Sequence, residues 1–559
     1  MLTTAFTPST TAIAGSLPLT AIAALLPLAV FFIMLGVFKI ATHWCAIGSL
    51  AIAIVIAAFG FHMPLGLAAL SAAQGAAFGL FVICYIVVAA VWLYNLSEVS
   101  GRGDDVRAVF SAVGKGDIRI QALLIATAFC ALMEGLAGFG APVAITCAML
   151  LALGLKPLKA ALVTMVANSL HVAFGAMAIP MITTAKLGGS EATLLTQTGS
   201  RITPLFLIWL PFVLLAMLDG KRGVKQLWPV ALTAGIGMAV GHFVTAHFIS
   251  YELTAVVGAL LAFVLIAGLL SFWSPTTPEE ERSAVVTEKL GAGRITLALL
   301  PYWFVVIVFA VAKLWKFGVD VPAALKTTDL KIPWPGLDGN LLTASGEVSK
   351  ETILSISTLA SPGTMLVFAS LVVTIVYSLS DSNGRFPFSI SKGIATLGST
   401  VMGLKMAILT ISAVMALAYA MNFSGQTVAI GTALAGTGAA FAFFAPILGW
   451  IGTAVTGSAT SAGALFASLH STVAAQTGLS PQLLLAVNEI GGGIGKIVSP
   501  QNLTIAATSI AIAATAVKEE GLEPELLRKA APYSVGLLLL LSIITVLASM
   551  GILGFLIAG

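Results

Sequence analysis

Charge is what this sequence has least of. Only 9% of its 559 residues are charged, against about 25% in soluble domains. A chain that is 58% hydrophobic, with a mean hydropathy of +1.05, has too little polar surface to dissolve as a globule. Cysteine is also sparse. Cys45, Cys84, Cys130 and Cys147 all fall in apolar runs and read as small buried hydrophobes, not as disulfides or ligands. The six histidines show no metal-site spacing. The opening MLTTAFTPSTTAIAGS carries no Lys or Arg, and the first is Lys39, so it does not read as the charged start of a cleaved signal peptide. The net charge of +4 does not point to nucleic acid, because the basic residues sit in short loops between apolar runs.

What is present is a series of long apolar runs, from 17–38 to 532–557. A helix needs about 20 apolar residues to cross a bilayer. The expected fold is therefore an all-α polytopic membrane protein with roughly 12 or more transmembrane helices. Some runs are short or glycine-rich and predict broken or re-entrant pieces. Four short loops are basic: 97–119, 219–227, 273–294 and 381–395. The bias of cytoplasmic loops places all four inside, which puts the N-terminus and the loop 315–362 outside. The chain divides into a first transmembrane half, 1–272, a cytoplasmic linker, 273–294, and a second half, 295–559.

The two halves share a pattern. NSLHVAFGAMAIP (168–180) matches NEIGGGIGKIVSP (488–500) without a gap at Asn168/Asn488, Gly175/Gly495 and Pro180/Pro500. Upstream, GLKP (154–157) answers GLSP (478–481), and EGLAGFGAP (134–142) answers TGSATSAGA (456–464) more loosely. The repeat units lie within 120–180 and 425–500. Counted from loop 97–119, one starts inside and the other outside, so the repeats are expected to be inverted. Inverted repeats with broken helices recur in secondary transporters, with the site where the units meet.

Broken helices expose backbone N–H groups, and helix N-termini favour carboxylates. The glycines of the first break (Gly138, Gly140), the hydroxyls of the second (Ser458, Thr460, Ser461) and the two asparagines (Asn168, Asn488) are the candidate substrate contacts. Small residues also serve close helix packing in membranes, which is the structural alternative. Ionisable residues inside membrane segments are functional candidates by default. Lys496 suits a substrate carboxylate. Carboxyls enclosed in apolar surroundings can exchange protons near neutral pH, which makes Glu134 and Glu489 candidate proton carriers. His171 joins them, as imidazole ordinarily titrates near neutrality. Glu489 and Lys496 are seven residues apart, about 10.5 Å along a straight helix, so they cannot be assumed to pair, and the glycines between them make a straight helix doubtful. No Walker loop or ATP-sized soluble domain is present, so transport would run on an ion gradient.

The motifs resemble the bacterial L-lactate permease family, which includes glycolate permeases. EGLAGFGAPVAIT (134–146) is similar to that family's EGAAGFGAPVAIT. LDGKRGVKQLWP (218–229), FFAPILGW (443–450), ALFASL (464–469) and GKIVSPQ (495–501) follow in family order. The resemblance implies a symporter of the bacterial inner membrane that takes up small 2-hydroxy monocarboxylates with protons. Glu134, Asn168, Asn488 and Lys496 match family positions. The chain also departs from the pattern. Family members read TGSDTSSNALF where this one has TGSATSAGALF, so an acid is Ala459 here and an amide is Gly463. NTAPVAFGA is NSLHVAFGA here, which brings in His171, and the Thr after the second Asn is Glu489.

The expected function is proton symport of a monocarboxylate, lactate or glycolate first, with no cofactor and no metal. The partners are a small organic anion and the lipid bilayer, and the oligomeric state stays open. A sodium-coupled carrier of another organic acid is the main alternative. An anion channel ranks below it, and an intramembrane enzyme last, since no nucleophile–base spacing stands out.

Overall fold

A computed structural model describes residues 5–138, 140–282, 290–343, 346–382, 384–513 and 522–559. Phe139 of the glycine-rich motif, Lys289 of the linker and the end of the apolar run 503–517 lie outside the described residues. Among those described, eleven helical stretches are long and apolar enough to cross a membrane. A twelfth is the pair Ala292–Ala298 and Leu300–Leu314, bent by 60°.

The four basic loops meet at one end of the bundle. Arg119 donates to Asp219 at 2.7 Å, and Arg222 to Glu280 at 2.5 Å. Arg294 pairs with Asp105, and the Arg102 guanidinium sits 4.9 Å from the Phe386 ring. The N-terminal segment and the loop 315–362 meet at the opposite end. Leu342 N–H donates to the Phe6 carbonyl at 2.9 Å, beside a small antiparallel sheet of Leu330–Pro333 and Ile353–Ile356. From the last basic loop the chain passes through the helix Ile390–Gly403 and then the 20-residue helix Lys405–Ser424, which stops at Gly425, against Pro8 at the other end. A helix of that length spans about 30 Å. The geometry thus groups the loops as the positive-inside pattern did.

Each half then builds a re-entrant hairpin and a broken crossing element. The first hairpin runs out along Ile118–Leu136 and back along Ala141–Ala152. Its outward arm starts at Asp117, beside the Arg119–Asp219 pair. Its return arm leads into Pro157–Asn168, where Lys159 donates to the Leu218 carbonyl at 2.7 Å. Both ends therefore lie at the basic end. The second hairpin runs along Phe441–Thr456 and back along Ala459–Thr477, with Phe441 against the His470 ring. Ser471 donates to the Gly188 carbonyl at 2.6 Å, and Gly188 closes the far end of the first crossing element. The second hairpin thus enters from the far end.

The crossing elements are Pro157–Leu187 and Pro481–Ala513. The first starts at the basic end and finishes at Gly188. The second starts beside Gly188, which faces Leu485. It returns to the basic end, where the next helix sets Lys529 and Tyr533 beside Lys156 and Lys159. They cross near their middles, with Gly493 against the Ser169 carbonyl. The repeats are inverted. The GLxP motif explains their shared start. Gly154 and Gly478 are left-handed, with φ of 92° and 76°, and close one helix, while Pro157 and Pro481 open the next.

One expectation changes. The glycines 491–493 do not break their helix, because Pro481–Gly495 is continuous. They admit other backbones instead: Gly491 lies against the Pro446 carbonyl, and Gly449 of the second hairpin against that of Asn488. The break comes later, at the 3-10 turn Lys496–Val498 and the extended Ser499 before Pro500. The first element breaks at Ser169–Phe174, followed by left-handed Ala176, Met177 and Ala178.

Candidate functional site

Both hairpin tips and both helix breaks converge on one cavity of about 490 Å³. The first tip supplies Glu134 and Gly138, and the second supplies Thr456, Ser458, Thr460 and Ser461. The crossing elements supply Gly175 and Pro180 from one break, and Lys496 and Gln501 from the other. The rest of the lining comes from Ala41, Thr42 and His43, at the start of helix Thr42–Phe59, and from Met406, Ala407, Thr410 and Ile411 of Lys405–Ser424.

Lys496 Nζ donates to Glu134 Oε1 at 3.4 Å, and both side chains are almost fully buried. Each is placed by local structure. Glu134 sits in the last turn before the left-handed Gly138 opens the tip. A Cβ on Gly175 would come within 2.6 Å of Glu134 Oε1, so this glycine makes room for the carboxylate. Lys496 opens the 3-10 turn in which the second element leaves its helix. Ser458 caps the return arm of the second hairpin, its Oγ accepting from Ser461 N–H at 3.2 Å. The cavity therefore holds one lysine and one carboxylate among its described lining residues, with a hydroxyl-rich helix N-terminus beside them. That N-terminus favours negative charge.

Of the residues singled out in the sequence, Glu134, Gly138, Ser458, Thr460, Ser461 and Lys496 meet here. The others lie behind the wall. Gly140 packs against Ile505. Asn168 Oδ1 accepts from the Cys130 thiol at 3.3 Å. Glu489 Oε1 accepts from Thr184 at 2.6 Å and from Asn488 Nδ2 at 3.1 Å. His171 stands 5.5 Å from the His242 ring, with neither ring nitrogen partnered among the described residues. The second hairpin brings its helix N-terminus to the cavity, while the first brings its acid. Sequence reasoning missed Gln501, Thr184 and His242. Gln501 had a signal in the SPQ motif, and its side chain fills the space beside Gly457. Thr184 and His242 had none.

A multi-span helical bundle whose inverted hairpins and broken helices close on a charged cavity is a membrane transporter, multi-pass in the bacterial cytoplasmic membrane. The comparisons with known proteins are specific about which kind. The chain belongs to the L-lactate permease family, whose model matches residues 20–551. It is 36% identical to the glycolate permease GlcA of Escherichia coli strain K12, over 97% of this chain and 98% of that one. It is 34% identical to the L-lactate permease of Bacillus subtilis strain 168, over 98% of both chains. Identity to the L-lactate permease of Escherichia coli strain K12 is also 34%, over 96% of both.

Proposed function

We propose that this protein imports a small 2-hydroxy monocarboxylate, of the L-lactate or glycolate class, together with protons. The Lys496–Glu134 pair at the cavity wall carries the reading. A substrate carboxylate seeking the Lys496 ammonium competes with Glu134 for it. At this separation the attraction is on the order of 4 kcal/mol with an effective dielectric near 20, enough to disfavour an anion while Glu134 is ionised. A proton on Glu134 ends the competition and frees Lys496 for the substrate. Proton and anion then load together. The charge count fits a monoanion, since a second carboxylate would find no further lysine or arginine among the described lining residues. The substrate hydroxyl has Ser458, Thr460 and Ser461 within the same cavity. The names of the relatives, glycolate and L-lactate permeases, support the substrate class.

The test is labelled-lactate counterflow in proteoliposomes across a pH series, without a gradient. Wild-type affinity is expected to weaken as pH rises. Glu134→Gln is expected to keep exchange and flatten that dependence. A Glu134→Gln profile identical to wild type would exclude this carboxyl as the proton group.

A further inference from the structure

Glu489 takes no part in that exchange, yet it is the more isolated charge. It is 1% exposed where three helices meet, Gly175–Leu187, Ala459–Thr477 and Pro481–Gly495. Thr184 and Asn488 both donate to its Oε1. Its Oε2 and the neighbouring Asn488 Oδ1 have no donor among the described residues. The space is built for it. A Cβ on Gly463 would fall on both Thr184 Oγ1 and Glu489 Oε1, so only glycine fits there.

No protein cation faces this carboxylate among the described residues. Lys496, at the end of its own helix, pairs with Glu134. His470, on the hairpin arm, points both ring nitrogens at the Phe466 and Ala445 carbonyls. Lys186, two residues beyond Thr184, acts on Glu351, where its charge opposes the upward push that burial exerts on that outer-loop carboxyl. Arg201, on the adjacent helix Ala192–Ile202, donates to His247 and to the Phe555 and Ile557 carbonyls. A carboxyl out of water must hold a proton or a cation. Two orphaned acceptor oxygens and a hydroxyl around it are a seat for a small monovalent cation. The repeat underlines the point, because the counterpart of Glu489 in the first unit is Ser169, whose hydroxyl donates to the Val166 carbonyl at 2.8 Å. One half of the molecule has the seat and the other does not.

We propose that Glu489, with Asn488 and Thr184, holds a second coupling cation, so that each monocarboxylate enters with a net charge of +1. This rests on the proposed transport reading, in which the proton on Glu134 already balances the substrate anion. The hairpin arm links the two places: Ser461 lines the cavity and Gly463 abuts Glu489.

The experiment is lactate uptake by proteoliposomes under a potassium diffusion potential set with valinomycin. Wild-type uptake is expected to rise several-fold when the interior is negative. Glu489→Gln keeps an oxygen for Thr184 and Asn488, so it is expected to fold and to retain counterflow, while its uptake becomes indifferent to potential. Replacing sodium by choline separates the sources. Loss of the potential response in choline identifies sodium in the seat, and its persistence, with two protons entering per lactate, identifies a proton. Wild-type uptake that ignores potential overturns the proposal, as does a Glu489→Gln protein that responds like wild type. Either result leaves the pH dependence of counterflow intact, so the Lys496–Glu134 reading stands or falls separately.

Discussion

Replacing Lys496 by methionine is expected to reduce lactate or glycolate uptake by at least about 25-fold at equal membrane abundance. Removing one partner of a buried charge pair costs about 2–5 kcal/mol, and each 1.4 kcal/mol is about a factor of ten. Two losses coincide at this position. The cavity loses the one lysine or arginine among its described lining residues, and Glu134 is left buried without a partner. The double variant Lys496→Met/Glu134→Gln separates them. Neutralising Glu134 should restore thermal stability, and uptake should stay low because nothing replaces the ammonium. Wild-type uptake by the single variant would remove Lys496 from the substrate site.

The second large effect is on stability. Gly449→Val is expected to lower the stability of the purified protein by about 3 kcal/mol, at the upper end of the usual cost of overpacking, read as a fall in its unfolding temperature in detergent. A Cβ at this position would fall on the Asn488 carbonyl oxygen, 2.7 Å from its carbon and 3.0 Å from its Cα. Both neighbours are helix backbone, so neither can turn aside as a side chain would. Close backbone approach of this kind is how small residues hold membrane helices together. Gly268 supplies the contrast. It lies in the helix Thr254–Phe272 with nothing within 4 Å of its would-be Cβ. Gly268→Ala should leave stability unchanged or raise it by about 0.5–1 kcal/mol. Equal losses in the two variants would show that glycine matters here for reasons other than packing.

The glycines also mark where sequence reasoning stopped. A glycine either bends its own chain or admits another one, and sequence does not say which without the partner. At Gly138, Gly154 and Gly478 the residue is left-handed and ends a helix, and the surrounding EGLAGFGAP and GLxP patterns signalled that. At Gly449, Gly491 and Gly493 it is helical and pressed against distant carbonyls, which a local pattern does not record. The repeat frame, the membrane class and the family were legible because they are periodic or contiguous. The Lys496–Glu134 pair joins residues 362 apart, and the Thr184–Glu489 bond residues 305 apart. Each partner ion stood out as a charge within an apolar run. Which charge met which was decided by the crossing of two elements running in opposite directions, and that exists only in the fold.

The four thiols bear on how the cavity can be watched. Cys45, Cys84, Cys130 and Cys147 are all free and buried. Thiol reagents need an accessible thiolate, so a charged, water-soluble maleimide should find the native protein nearly silent. The unmodified chain is therefore its own background for labelling. A single cysteine at Thr410 or Met406, in the lining of the same cavity as Lys496, would report from one side of the membrane whether water reaches that lining, and whether a bound carboxylate closes it off.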